Sequence, residues 1–217
     1  MYSPIQQKFY LAYMYKIRRI GSRAELSSFE SVFADVLCRT FHNDAYYGYI
    51  MPNAKKSMVQ LHWWMRILLR YTLKFGDIYY TDDHKAIALW LGPEKPMVND
   101  AKILSMGLIR YPFKVGIRNF LRMIDISEQW GKGHKLMDKR HYYLMIIGVD
   151  PEFQRQGIGS RLMKVGLDKA DKEGLDCFLE TVTPEYVKFY EKHNFEIMSN
   201  SSFAENSQFW LMKRPSK

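Results

Sequence analysis

Two hydrophobic periodicities divide the chain. From Glu25 to His42, Leu26, Phe29, Val32, Phe33, Val36, Leu37 and Phe41 recur at three- and four-residue intervals, the spacing of a helix with one buried stripe, and Ser22 or Ser28 is placed to cap it. Ala54 to Lys74 repeats the pattern with Met58, Leu61, Met65, Leu68 and Leu69. Short apolar runs with strand character occupy Met14–Ile20, Asp77–Thr81, Lys85–Leu91, Tyr142–Val149 and Cys177–Val182, and two more close the chain at Phe195–Met198 and Gln208–Met212, an antiparallel pair. Asp82-Asp83-His84 joins the second and third runs as a hairpin, and Gly92-Pro93 stops the third. Tyr46–Met51 reads as an aromatic loop ended by Pro52. Asp100–Gly131 is a long helical stretch broken near Pro112, Ser160–Glu173 an amphipathic helix closed by Gly174, and Pro184–His193 a short helix with proline near its first position. Helices interleaved with hairpin strands predict a mixed α/β fold, and residues 1–217 show no linker or repeat that would divide them into more than one domain.

Composition narrows the classes. Of 217 residues 47% are hydrophobic and 25% charged, an ordinary globular balance, while 15% are aromatic, enough for an aromatic-lined pocket. The formal net charge of +9 comes from scattered Lys and Arg and not from a run. That argues against a nucleic-acid arm and leaves an anionic cofactor as the natural counterpart. Arg66 and Arg70 interrupt the greasiest region, Met58–Leu73, so no membrane partner is expected; with no signal-type N-terminus, a cytoplasmic location follows. Cys38 and Cys177 sit in apolar contexts and read as buried free thiols, and neither they nor the six histidines have metal-ligand spacing, so no metal is expected.

The chemistry concentrates in Ile147-Gly148-Val149-Asp150-Pro151-Glu152-Phe153-Gln154-Arg155-Gln156-Gly157-Ile158-Gly159-Ser160. An apolar strand enters a short polar turn, and the turn passes directly into a helix. Glycines let backbone amides approach a ligand closely, and the helix N-terminus adds partial positive charge, so the segment is a seat for a phosphate linkage. The turn lies late in the chain after a hairpin-containing sheet, unlike a dinucleotide fingerprint, and it lacks the Gly-Lys-Ser/Thr of a Walker loop.

With Leu179-Glu180-Thr181 and Phe189-Tyr190-Glu191-Lys192-His193-Asn194-Phe195 downstream, the chain resembles the GNAT superfamily of acyl-CoA N-acyltransferases. Glu180-Thr181-x-x-Pro184 resembles the puromycin N-acetyltransferase-like branch within it. Asn194 stands where the family usually has glycine, and Asn tolerates the left-handed conformation. The resemblance implies a mostly antiparallel central sheet flanked by helices, with a splayed strand pair at the CoA site. It implies that the amides of Gln154, Arg155, Gln156, Gly157, Ile158, Gly159 and Ser160 cradle the CoA pyrophosphate, with Arg155 and Arg161 adding charge. It implies that Ile147 and Val149 pair with the pantetheine amides, that the Ile147 amide faces the thioester carbonyl, and that Gly148 marks a bulge opening the gap; close packing on a helix is the other reading of Gly148. Tyr190 would protonate the departing thiolate, or be a buried aromatic whose hydroxyl merely finds a partner. For the general base, Glu180 ranks first and His141 second; His193 is expected to face solvent, and Asp150 to be a turn residue.

The implied activity is direct transfer of an acetyl group from acetyl-CoA to a small-molecule amine within a ternary complex, with no acyl-enzyme. The alternatives are a CoA-binding regulatory module without catalysis and acetylation of a peptide or protein amine. Phe41–Met58 and Asp100–Arg140 are the expected acceptor walls, and a homodimer is compatible with the sequence.

Overall fold

In the computed structural model, residues 15–52, 57–94, 107–137, 140–205 and 207–217 are described. Strand β1 (Ile17–Arg19) precedes helices α1 (Arg23–Thr40), α2 (Ala45–Ile50) and α3 (Ser57–Phe75), which lead into the hairpin β2 (Gly76–Thr81) and β3 (Ala86–Leu91). Helices α4 (Tyr111–Val115) and α5 (Ile117–Leu136) come before β4 (His141–Val149). Helix α6 (Ile158–Lys172), β5 (Asp176–Thr181), α7 (Pro184–Glu191), β6 (Glu196–Ala204) and β7 (Ser207–Arg214) complete the chain. The strands form a seven-stranded sheet in the order β1-β2-β3-β4-β5-β7-β6, antiparallel except where β4 meets β5.

The two-residue alternation of the strands sorts the core into two layers. Ile87, Leu89 and Leu91 point toward Phe33 and Leu37 of α1 and Met65 and Leu69 of α3; Ala86, Ala88 and Trp90 point toward Leu162, Met163 and Leu167 of α6. Helix α1 starts where Ser22 accepts from the Glu25 amide, which settles Ser22 over Ser28 as its cap. Arg66 and Arg70, beside the apolar stripe of α3, hold the buried Glu30 of α1. The guanidinium pair outweighs burial and keeps that carboxyl below the usual range.

Some sequence expectations shift. The strand expected at Met14–Ile20 is confined to Ile17–Arg19, and Met14 lies outside the described residues, as do 54–56 and 100–106 of two expected helices. Tyr46–Met51 is not a loop: α2 covers most of it, nucleated by Asp44, whose Oδ1 accepts from the amides of Tyr46 and Tyr47. The last two strands are longer than expected and pair antiparallel.

Helix α6 lies close on the sheet because Gly166 leaves room for the Trp90 ring; a Cβ there would stand 2.3 Å from Trp90 Cε2. Gly166→Ala gains about 1 kcal/mol of helix propensity, but overpacking against a ring held between helix and sheet costs about 1–3 kcal/mol. We expect a net loss of stability, read as a lower urea midpoint with an unchanged slope.

Candidate active site

The turn between β4 and α6 is built by two left-handed residues. Arg155 has φ +60° and Gly157 φ +79°, and Gly157 is the N-cap of α6, which begins at Ile158, two residues before the expected Ser160. A Cβ at Gly157 would meet nothing within 4 Å, so backbone conformation and not space is what requires glycine there. Residues 154–157 are exposed, and the first-turn N–H groups of α6 have no intrahelical acceptor, so the turn offers donors at a positive helix end.

Neighbouring side chains fix the turn from every side. Asp150, buried, is a turn residue as expected: it accepts from Arg39 Nη2 at 2.7 Å and Nε at 3.2 Å, which ties α1 to the end of β4. Thr40 Oγ1 and Gln154 Nε2 both donate to the Val149 carbonyl. Arg161 donates to the Tyr15 carbonyl at 2.7 Å, so it anchors the chain entering β1. His193 does not face solvent: it is half-buried, with Nε2 3.0 Å from Ser160 Oγ, and burial followed by the Arg214 charge lowers its pKa. Asn194 adopts φ +65°, the left-handed turn that the sequence assigns it.

The parallel strands β4 and β5 pair only at His141–Asp176, Tyr142–Cys177 and Tyr143–Phe178. Beyond that point β4 runs on to Val149 with β3 and β5 runs on to Thr181 with β7, so the sheet splits. The bulge lies at Met145, where the β3 register steps from Trp90–Leu144 to Leu89–Ile146. It does not lie at Gly148, which pairs in register with Ile87 and packs on α1; a Cβ there would meet Leu37 Cδ2 at 2.8 Å. The extra residue inverts the alternation, so Ile147 and Val149 pack against the α6 layer. The amide of Asp150 bonds to the Lys85 carbonyl; antiparallel alternation from that pair directs the main-chain groups of Ile147 and Val149 away from β3, into the split.

A cavity of about 470 Å³ passes through this opening. Both stretches read as acceptor walls reach it: Phe41, Asp44, Tyr46 and Tyr47 from one, Met123 to Lys135 of α5 from the other. Ile147, Glu180 and Tyr190 line it together, so two of the three residues expected to do acid–base work share one space. Tyr190 is buried, and burial, then Tyr186, Glu180 and Asp44, hold its phenol well above the ordinary tyrosine range. Glu180 is 5% exposed at its side chain, and its Oε1 has no hydrogen-bond partner.

His141 is the correction. It is buried behind the cavity wall, its Nε2 2.9 Å from His134 Nδ1, and it is His134 that lines the cavity, with Nε2 3.6 Å from Glu180 Oε1. His134 carried a legible signal: Met123, Ile126, Trp130 and His134 follow one another at three- and four-residue steps, which puts a histidine on the inward stripe of α5. Asp44 was also missed. Burial pushes its carboxyl up to about 6 in spite of the two amides it accepts from. Cys38 and Cys177 are buried free thiols, each pushed up to about 12 chiefly by burial, and neither lines the cavity. Among the described residues no group of three metal-ligating side chains occurs, and no helix is long and apolar enough to cross a membrane.

The model of the acetyltransferase (GNAT) family matches residues 113–195. Solved structures with the same fold include a protein from Corynebacterium glutamicum described as histone acetyltransferase HPA2 and related acetyltransferase (16% identity, TM-score 0.59, covering 94% of this chain and 97% of that one). A mosquito arylalkylamine N-acetyltransferase like 5b matches at 16% identity and TM-score 0.55, covering 92% and 100%. The Drosophila melanogaster polyamine N-acetyltransferase matches at 10% identity and TM-score 0.58, again covering 92% and 100%.

Proposed function

We propose that this chain, which carries the fold of the GNAT acetyltransferases, transfers an acetyl group from acetyl-CoA to the amine of a small molecule. The observation that carries the reading is the split between β4 and β5, which joins the Gly157 turn to a cavity containing Ile147, Glu180 and Tyr190. The turn amides from Gln154 to Ser160 hold the diphosphate, with the helix dipole and Arg155 opposing its charge. The pantetheine arm lies in the split and pairs with the main-chain groups of Ile147 and the Val149 amide; the Val149 carbonyl is already taken by Thr40 and Gln154. The Ile147 amide faces the thioester carbonyl and stabilises the negative charge that develops there.

The amine reaches the thioester from the wall formed by Tyr46, Tyr47, Trp130 and Tyr186. An aromatic-walled space of this size suits a small amine with an apolar body better than a peptide chain. Its ammonium first loses a proton to the Glu180 side of the cavity; the free amine then attacks, the C–S bond breaks, Tyr190 donates to the departing sulfur, and the nitrogen's second proton restores the phenol. No thiol of this chain takes part, because burial keeps both cysteines protonated. The Glu180-Thr181-x-x-Pro184 sequence supports a place near the puromycin N-acetyltransferase-like branch.

Calorimetry with acetyl-CoA, followed by thiol release across a panel of small amines, tests the proposal. Binding with thiol release supports it, binding without release on any amine favours a regulatory module, and no binding ends it. Gly157→Val forces a β-branched residue into φ +79°. We expect acetyl-CoA affinity to fall about tenfold, the equivalent of a 1.4 kcal/mol distortion of the turn, with the overall fold retained by circular dichroism.

A further inference from the structure

Three polar side chains from three elements meet at the inner wall of the cavity. Glu180 comes from β5, His134 from α5 and His141 from the first position of β4. Glu180 Oε1 and His134 Nε2 are 3.6 Å apart, too far for a hydrogen bond to each other, and both residues line the cavity. The other end of each group is committed. The hydroxyl of Tyr143 donates to Glu180, and His134 Nδ1 meets His141 Nε2 at 2.9 Å. The His134 and His141 rings lie stacked at 21°, enclosed by Tyr143 and Phe178.

The N–N contact allows one proton between the two rings, since two positively charged imidazoles at that distance would repel strongly in a buried site. When His134 Nδ1 donates to His141, His134 Nε2 is a bare lone pair facing the orphaned carboxylate oxygen. Two acceptors then stand side by side in the cavity wall, with a narrow cleft between them that a small shift of the wall opens, since Oε1 is itself buried. A primary ammonium fills it with one N–H to each.

We infer that His134 is the general base for the acceptor, that Glu180 orients the incoming ammonium and stabilises the charge His134 then gains, and that His141 is a positioning residue that fixes the His134 tautomer. This rests on the acetyl-transfer reading above. The acceptor enters as R–NH₃⁺ and gives one proton to His134 Nε2. The neutral amine forms the C–N bond, the C–S bond breaks, Tyr190 gives its phenolic proton to the sulfur, and the second proton shed by the nitrogen restores the phenol. The imidazolium returns its proton to solvent, so each turnover yields amide, thiol and one H⁺. Among the described residues, the charged and titratable groups around His134 are Glu180, His141 and Tyr143 across the contact, Asp44, Tyr46, Tyr47, Tyr186 and Tyr190 on the facing walls, and Glu128, Lys132 and Lys135 on α5 itself.

The test uses the full-length protein, ¹⁵N-histidine NMR, and 2-phenylethylamine with acetyl-CoA. The neutral-state spectrum is expected to show His134 protonated at Nδ1, with an Nε2 resonance that moves when 2-phenylethylammonium is added; resonances are assigned from His134→Gln and His141→Gln. In thiol-release assays His134→Gln is expected to lower kcat about 10²- to 10³-fold. His141→Asn is expected to lower kcat about tenfold and displace the acidic limb of the kcat/KM profile, with acetyl-CoA affinity unchanged in both variants. A neutral His134 protonated at Nε2 and insensitive to the amine overturns the inference whether or not this amine turns over. So does an active wild type whose pH profile survives both substitutions, even where the variants are less stable. Failure of the wild type to bind acetyl-CoA defeats the acetyl-transfer reading instead, and the NMR result still decides the tautomer.

Discussion

Tyr190→Phe is expected to lower turnover about 10²- to 10⁴-fold, the usual worth of a positioned proton donor, while acetyl-CoA affinity stays nearly unchanged. The phenol looks at first too weak an acid, because burial and the surrounding Tyr186, Glu180 and Asp44 raise it well above its ordinary range. The same surroundings act on the sulfur. Burial takes Cys38 and Cys177 to about 12, and a CoA thiolate released in the cavity is disfavoured for the same reason. Burial raises phenol and thiol together, so the proton transfer is no harder than in water, and the hydroxyl stabilises the sulfur by hydrogen bond as charge builds on it. Phenylalanine keeps the ring packing with Phe189 and Phe195 and removes only the donor. Steady-state kinetics with calorimetric binding of acetyl-CoA reads the result, and unchanged turnover retires the role.

Asp44→Asn is expected to make the protein more stable and its acceptor binding weaker. A carboxyl whose folded pKa is about 6 favours the folded state fully only below its unfolded value near 4, and that contribution is lost as pH rises through about 6. Above that range the buried charge costs about 2–3 kcal/mol. Asparagine caps a helix as well as aspartate does, so the bonds to the Tyr46 and Tyr47 amides survive while the charge goes. Thermal unfolding near pH ~8 is expected to shift upward by about 5–10 °C, since 1 kcal/mol is worth about 2–4 °C in a domain of this size, and the gain is expected to vanish below pH ~4. The KM for a cationic amine is expected to rise about tenfold, as a partly desolvated anion is removed from the wall. An equal Tm for both proteins at both pH values would show that Asp44 carries no buried charge.

The sequence and the structure agree best where one local rule governs. The period of α1, the β2–β3 hairpin and the left-handed Asn194 each follow from a handful of consecutive residues. The turn at Gly157 was legible for the same reason, since glycine spacing and a following amphipathic helix are local. Disagreement begins where partners are distant. The bulge at Met145 arises from pairing with β3, and nothing in Tyr142–Val149 by itself says which residue will be extra. Gly148 then meets Leu37 and Thr40 of α1, more than a hundred residues away. His141 was placed on the right strand, but the histidine that reaches the cavity is the one α5 brings in front of it. Helix α2 is only six residues long and contains Gly48, so its cap was the stronger signal and its periodicity the weaker one.

A sheet that opens in its middle creates two inner edges, and free edges ordinarily invite any extended chain to add itself. Here the invitation is restricted by girth. The opening is flanked by Tyr143, Leu144, Met145 and Ile146 on one side and Glu180, Thr181 and Val182 on the other, with aromatic rings overhead. A polypeptide would carry a side chain at every residue into that crowding; a slender arm of amides and methylenes would not. On the acetyl-transfer reading, the division of β4 from β5 is a sieve as well as a seat, admitting a guest by thinness before any of its functional groups is recognised.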